Sequence, residues 1–173
     1  EPENGIFILL TSNINGLLET IKSRCQQIRF KRITKQELIN QVNKNNQISS
    51  KLEKDLQDLI YLANGSPKKL DKIIKIWLEI PESIKKKIKN PIYENIEVLT
   101  TAKMITDEMN IEQQEFLVDF IQYKWWKETF NIQIPKTIES LKTNLKENIQ
   151  PRLAWEVCLL KIALKDYPKG PKY

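Results

Sequence analysis

Ile6-Phe7-Ile8-Leu9-Leu10-Thr11-Ser12-Asn13, followed at a short distance by Ser23-Arg24-Cys25, sets the reading of this chain. An unbroken apolar run closed by polar residues has the pattern of a strand buried on both faces. In parallel α/β sheets the polar C-terminal end of such a strand is where nucleotide chemistry gathers. A short helix is expected over residues 16–22, and it delivers Arg24. Only four of the 28 basic residues are arginines: Arg24, Arg29, Arg32 and Arg152. In a lysine-rich chain, an arginine at the end of a strand–helix unit invites a specific role. Its planar, permanently charged fork matches phosphate oxygens. A second strand is expected over residues 26–30, where Ile28 and Phe30 alternate with Gln27 and Arg29. Two strands cannot cover both faces of residues 6–10, so further neighbours are expected upstream or in another chain. The acidic start, Glu1-Pro2-Glu3-Asn4, lacks a methionine, and the chain is expected to be a fragment or a processed product.

Working outward, residues 34–77 read as a three-helix unit. Thr34-Lys35-Gln36-Glu37 has the capping-box pattern and opens a helix with Leu38, Ile39 and Val42 on one face. Ser50-Lys51-Leu52-Glu53 repeats the pattern ahead of Leu56, Leu59 and Ile60. Asn64-Gly65 stops that helix, and Ser66-Pro67 starts the next, with Leu70, Ile73, Ile74 and Trp77 as its apolar stripe. Residues 78–173 continue as helices over 82–89, 93–109, 111–130, one opened by Pro135 and one from Pro151 through Leu164. In the helix over 111–130, Phe116, Leu117, Phe120, Ile121 and Trp125 form the expected buried side. The last helix is apolar on nearly all sides, which suits a helix central to a bundle or shared with neighbouring subunits.

Composition narrows the chemistry. The chain has 173 residues, 40% hydrophobic and 29% charged, with net charge +6. This is a globular composition, expected to be cytoplasmic, and no apolar run reaches the roughly 20 residues of a membrane span. The absence of histidine removes Ser-His and Cys-His catalysis and His-ligated metals. Two distant cysteines, Cys25 and Cys158, make neither a zinc site nor a disulfide framework. None of the four glycines lies in a GxxxxGK phosphate loop, so no nucleotide is expected on these residues alone.

The quoted residues resemble the AAA+ clamp-loader ATPases. The match rests on the acidic start, the apolar strand, Thr11-Ser12-Asn13, the Leu17-Leu18 helix and Ser23-Arg24-Cys25. Gly65-Ser66-Pro67-Lys68-Lys69 resembles their lid, and Pro151-Arg152-Leu153-Ala154-Trp155 the collar of the delta-prime type of bacterial DNA polymerase III. The resemblance implies a mainly α chain in three parts. These are a strand–helix–strand remnant of an ATPase-like domain (1–33), a three-helix lid (34–77) and a helical collar (78–173). It implies a non-catalytic subunit with Arg24 as an arginine finger acting in trans on ATP-Mg held by a neighbour. It further implies Asn13 as a sensor-1 residue and Lys68 at the sensor-2 place, where the family has arginine. Other loader subunits, a sliding clamp and primer–template DNA would be partners, the last two through the assembly.

Plainer readings stand beside these. Arg24 suits a helix C-terminus on charge grounds alone. Thr11-Ser12-Asn13 fits strand-end turn chemistry, and Lys68 and Lys69 a solvated first turn. Cys25 fits a small packed residue. Trp125 and Trp126 point about 100° apart on a helix, one to the core and one to the rim. Lys85, Lys86 and Lys87 suit a solvated face better than phosphate contact. A catalytic clamp-loader or helicase-loader ATPase fragment and a basic helical nucleic-acid-binding module remain alternatives.

Overall fold

The computed structural model describes residues 5–44, 52–147 and 149–164. It divides into two units, residues 1–31 and 32–173.

Most described residues of the first unit lie outside helix and strand. A 3₁₀ turn, Ile14–Gly16, and one short helix, α1 (Glu19–Lys22), are its regular elements among the described residues. Neither expected strand forms: residues 5–10 and 26–31 run without a ladder. Extended backbone becomes a strand only when a partner takes its amide and carbonyl groups. Their side chains are equally without cover, Ile6 being 91% and Phe30 88% exposed. Cys25 is exposed too, against the expectation of a packed thiol, because no described residue of this unit is buried.

The second unit is helical throughout. It holds α2 (Lys35–Lys44), α3 (Leu56–Ala63), α4 (Pro67–Glu79), α5 (Glu82–Lys87), α6 (Asn95–Glu108), α7 (Ile111–Thr129), α8 (Gln133–Lys146) and α9 (Pro151–Ala163). The sequence signals fix most boundaries. The Thr34 amide and hydroxyl donate to Glu37 Oε2 (2.9 and 2.7 Å), and the Glu37 amide donates back to Thr34 Oγ1 (3.3 Å). These bonds hold the Glu37 carboxyl below its ordinary pKa. Asn64 and Gly65 both take left-handed dihedrals and end α3. A Cβ on Gly65 would meet Arg32 Cβ at 2.7 Å, so glycine is required here by contact as well as by conformation. Ser66 Oγ accepts from the Lys69 amide at 3.3 Å, with Pro67 in the first position of α4. Two starts differ from expectation. α3 begins at Leu56, Ser50 lying outside the described residues, and α8 begins at Gln133, before Pro135. Asn131 Oδ1 accepts the Gln133 amide at 2.9 Å, and proline costs little within a first turn.

A single hydrophobic core runs from Leu38 to Ile162. α7 lies against α3, α4 and α8, while α9 packs on α6 and α8. The expected stripes of α3, α4 and α7 are buried. At the end of α4, Trp77 meets Phe120 at 4.4 Å and Phe116 at 6.2 Å, so the core crosses residue 77 without a break. Trp125 is fully buried, its Nε1 donating to Ile88 O at 2.9 Å, and Trp126 is 41% exposed. α9 buries Ala154, Trp155, Cys158, Leu159 and Ile162 and leaves Leu153, Val157 and Leu164 exposed.

Candidate functional site

In the first unit, Thr11 and Asn13 close a compact turn. The Thr11 hydroxyl donates to Asn13 O, the Asn13 amide donates to Thr11 Oγ1, and Asn13 Oδ1 accepts the Asn15 amide, each at 3.1 Å. The side-chain oxygen of Asn13 therefore caps the 3₁₀ turn. α1 follows, its C-cap Ser23 donating from Oγ to Thr20 O at 3.2 Å. The Arg24 amide is tied to Ile21 O at 3.2 Å, which fixes the backbone where the side chain departs. The guanidinium is exposed and has no hydrogen bond or ion pair among the described residues. Asn13 and Arg24 belong to this unit and make no direct hydrogen bond.

Lys68 belongs to the other unit. It sits in the first turn of α4, exposed, and no acidic residue shares that turn. The run at 85–87 is largely engaged. Lys85 pairs with Glu82 at 3.0 Å and lies over the Trp77 ring, and Lys87 faces Glu97 at 3.5 Å. Among the described residues no cluster of three metal-ligating side chains occurs. Nor is any helix of the described residues long and apolar enough to cross a membrane.

Two features escaped sequence reading because they join residues far apart in the chain. The first is an ionic joint between α3 and α7. Asp58, 8% exposed, accepts from Lys127 at 2.9 Å and lies 3.8 Å from Lys124, which also reaches Asp55 at 3.4 Å. The bond to Asp58 raises the Lys127 pKa above its ordinary value. Burial is the main cause that raises the Glu128 carboxyl. Asp58 interrupts an otherwise apolar face of α3, and that was its one sequence signal. The second is a groove of about 520 Å³ where α2, α3 and α4 meet. Arg32, Lys35 and Lys69 line it, with Tyr61 at one side, and Arg32 Nη1 donates to Asn64 Oδ1 at 2.5 Å.

The family model for the cyanobacterial DNA polymerase III delta prime C-terminal domain matches residues 34–162, most of the chain. The chain belongs to this family. The matched span opens at the Thr34 capping residue and takes in α2 to α8 and nearly all of α9, and with them Lys68 and the Asp58 joint. The family model for the DNA polymerase III delta subunit matches residues 1–34, the stretch that carries Asn13 and Arg24. No curated protein and no solved structure matches the chain. The delta prime family thus accounts for the helical unit, and a DNA polymerase III relation covers residues 1–34 before it.

Proposed function

We propose that this chain is a non-catalytic clamp-loader subunit of the delta-prime type, which supplies Arg24 in trans to ATP-Mg held by a neighbouring subunit. Residues 34–77 serve as its lid and 78–173 as its collar, through which it joins other loader subunits. The sliding clamp and primer–template DNA are engaged by the assembly. The observation that carries the reading is the exposed guanidinium of Arg24 at the end of α1, without a partner among the described residues and inside the stretch matched by a DNA polymerase III subunit family.

The chemistry follows from charge. Phosphoryl transfer spreads negative charge over the equatorial oxygens, and a guanidinium aimed at them lowers the barrier without reorganising. Such a group must be free of a carboxylate partner in its own chain, as Arg24 is among the described residues. In this reading Asn13 stands at the sensor-1 place with its oxygen held by a turn, and Lys68 offers a point charge at the sensor-2 place. The outward side chains Leu153 and Val157 of α9, with Leu164 at its C-cap, supply apolar surface for the ring.

The test is Arg24→Ala and Arg24→Lys in the full-length subunit, assembled with its partners. Turnover at the site that Arg24 completes should fall on the order of 10³-fold. Arg24→Lys should recover little of it, since an ammonium lacks the fork. Ring assembly should be unchanged. Full DNA-stimulated ATPase in a correctly assembled Arg24→Ala complex would overturn the assignment.

A further inference from the structure

The groove between α2, α3 and α4 has an unusual charge balance. Arg32, Lys35 and Lys69 line it, and no carboxylate does. Its other walls are Thr34, Asn64 and the backbone of Gly65, over an apolar floor of Leu38, Ile60 and Leu62. Glu37, bonded to the groove-lining Thr34, keeps one negative charge beside the groove, and the three cations outweigh it. Some lysines elsewhere meet carboxylates, among them Lys72 with Glu112 at 2.6 Å and Lys142 with Asp119 at 2.7 Å. The three groove cations do not, among the described residues. Arg32 bonds a neutral amide, and the Lys35 ammonium rests over the Tyr61 ring at 5.5 Å.

Tyr61 carries the groove onto an aromatic surface. Its ring stacks on Tyr123 of α7, centroids 4.0 Å apart and planes 14° from parallel. Trp126 follows Tyr123 by three residues on the same helix side and is 41% exposed, with Phe130 edge-on to it at 6.2 Å. Phe130 holds a left-handed φ of 52°, a costly conformation for a large aromatic residue, and keeps its ring 63% exposed.

We propose that this groove and the aromatic surface beside it bind single-stranded nucleic acid. Phosphates lie against Arg32, Lys35 and Lys69, and bases reach Trp126 and Phe130. Three cations without carboxylate partners complement a polyanion. Exposed rings at the end of α7, reached from the groove through the Tyr61–Tyr123 stack, suit unpaired bases, whose faces are available, and not a duplex, whose faces are buried in the stack. Lys127 adds little affinity because Asp58 already neutralises it. The site does not depend on Arg24, and failure of the finger would leave it standing.

The experiment measures binding of a short fluorescein-labelled oligothymidylate to the full chain by anisotropy, from about 50 to 200 mM salt. Lys35→Ala/Lys69→Ala should weaken binding and flatten the log–log salt slope by about 1.4, roughly 0.7 for each phosphate released on a single strand. Trp126→Ala should weaken binding roughly 5- to 100-fold with the slope unchanged, since stacking carries no counterion. All three side chains are exposed, and thermal melts of the variants should match the parent. Several results would overturn the proposal. One is an unchanged slope in the double lysine variant. Another is loss of binding in Lys86→Ala/Lys89→Ala instead. A third is duplex bound as tightly as the single strand, without dependence on Trp126. The last is capture of inorganic triphosphate by a chain that does not bind the oligonucleotide.

Discussion

Removing the Asp58 carboxylate tests what fastens α3 to α7. Asp58→Ala deletes the 2.9 Å bond to Lys127 and the 3.8 Å contact with Lys124. Breaking a fully buried ion pair costs about 3–5 kcal/mol, because the remaining charge is stranded. Neither lysine here is stranded. The Lys127 side chain is 52% exposed and regains water, and Lys124, 12% exposed, keeps Asp55 at 3.4 Å. A hydrogen bond to a charged group is worth about 1.5–3 kcal/mol, and the solvated partner draws the value to the lower part of that range. The expected loss is therefore about 2 kcal/mol, or a melting temperature lower by roughly 4–8 °C for a chain of this size. Urea denaturation of the full chain, followed by circular dichroism, measures it, and a double-mutant cycle with Lys127→Met should return a coupling near 1 kcal/mol. Asp58 raises the Lys127 pKa, so this contribution is complete below the ordinary lysine value of 10.5 and is lost as pH rises above it. A loss under about 0.5 kcal/mol with no coupling would refute the reasoning. The joint would then rest on the Tyr61–Tyr123 stack and the apolar core alone.

Two further outcomes follow from buried groups. Thr101 on α6 is fully buried, and its Oγ1 has no hydrogen-bond partner among the described residues. Thr101→Val should therefore stabilise the chain by about 1 kcal/mol in the same assay, and a loss instead would mean that the hydroxyl is bonded, for example to a buried water. Burial pushes the Cys158 thiol up from 9.0 to about 12, while Cys25 lies exposed. A thiol reagent at pH 8 should modify Cys25 quickly and Cys158 only on unfolding. The native state keeps the Cys158 proton that the unfolded chain releases. Stability should thus be fullest below pH 9 and fall above it by about 1.4 kcal/mol per pH unit, a slope that Cys158→Val should lessen by that amount.

How much was legible in the sequence depended on the range of the interactions. The capping bonds of Thr34 and Ser66, the left-handed stop at Asn64-Gly65 and the stripe of α7 are set by residues within a turn or two, and local pattern reported them. The opposite faces of Trp125 and Trp126 followed from helix geometry. The Asp58 joint and the basic groove bring together residues up to 69 positions apart, and no spacing rule reaches them. The start of α3 was misplaced because residues 52–55 form a turn and the helix begins only at Leu56, which the local pattern does not distinguish from an earlier start. For the candidate site the place of Arg24 just after a short helix was legible and its exposure was not, because exposure depends on which distant residues fold over it.

The exposed residues 6–10 and the exposed Arg24 are connected by energetics. Burying each of the five apolar side chains is worth about 1.5–3 kcal/mol, so the run withholds on the order of 10 kcal/mol from this unit as it stands. A gain that large greatly exceeds the fixing cost of one short turn, and whatever covers the run dictates where α1 points. In the proposed function the cover is the rest of an ATPase-like sheet, with Arg24 carried at its edge. The accuracy a finger needs, within about 0.5 Å of its phosphate, then comes from sheet packing and not from the helical unit. It follows that weakening the cover should misplace Arg24 without touching it. Phe7→Ala in the full-length subunit should lower the neighbour's ATPase alongside Arg24→Ala, with the helical unit still melting as before.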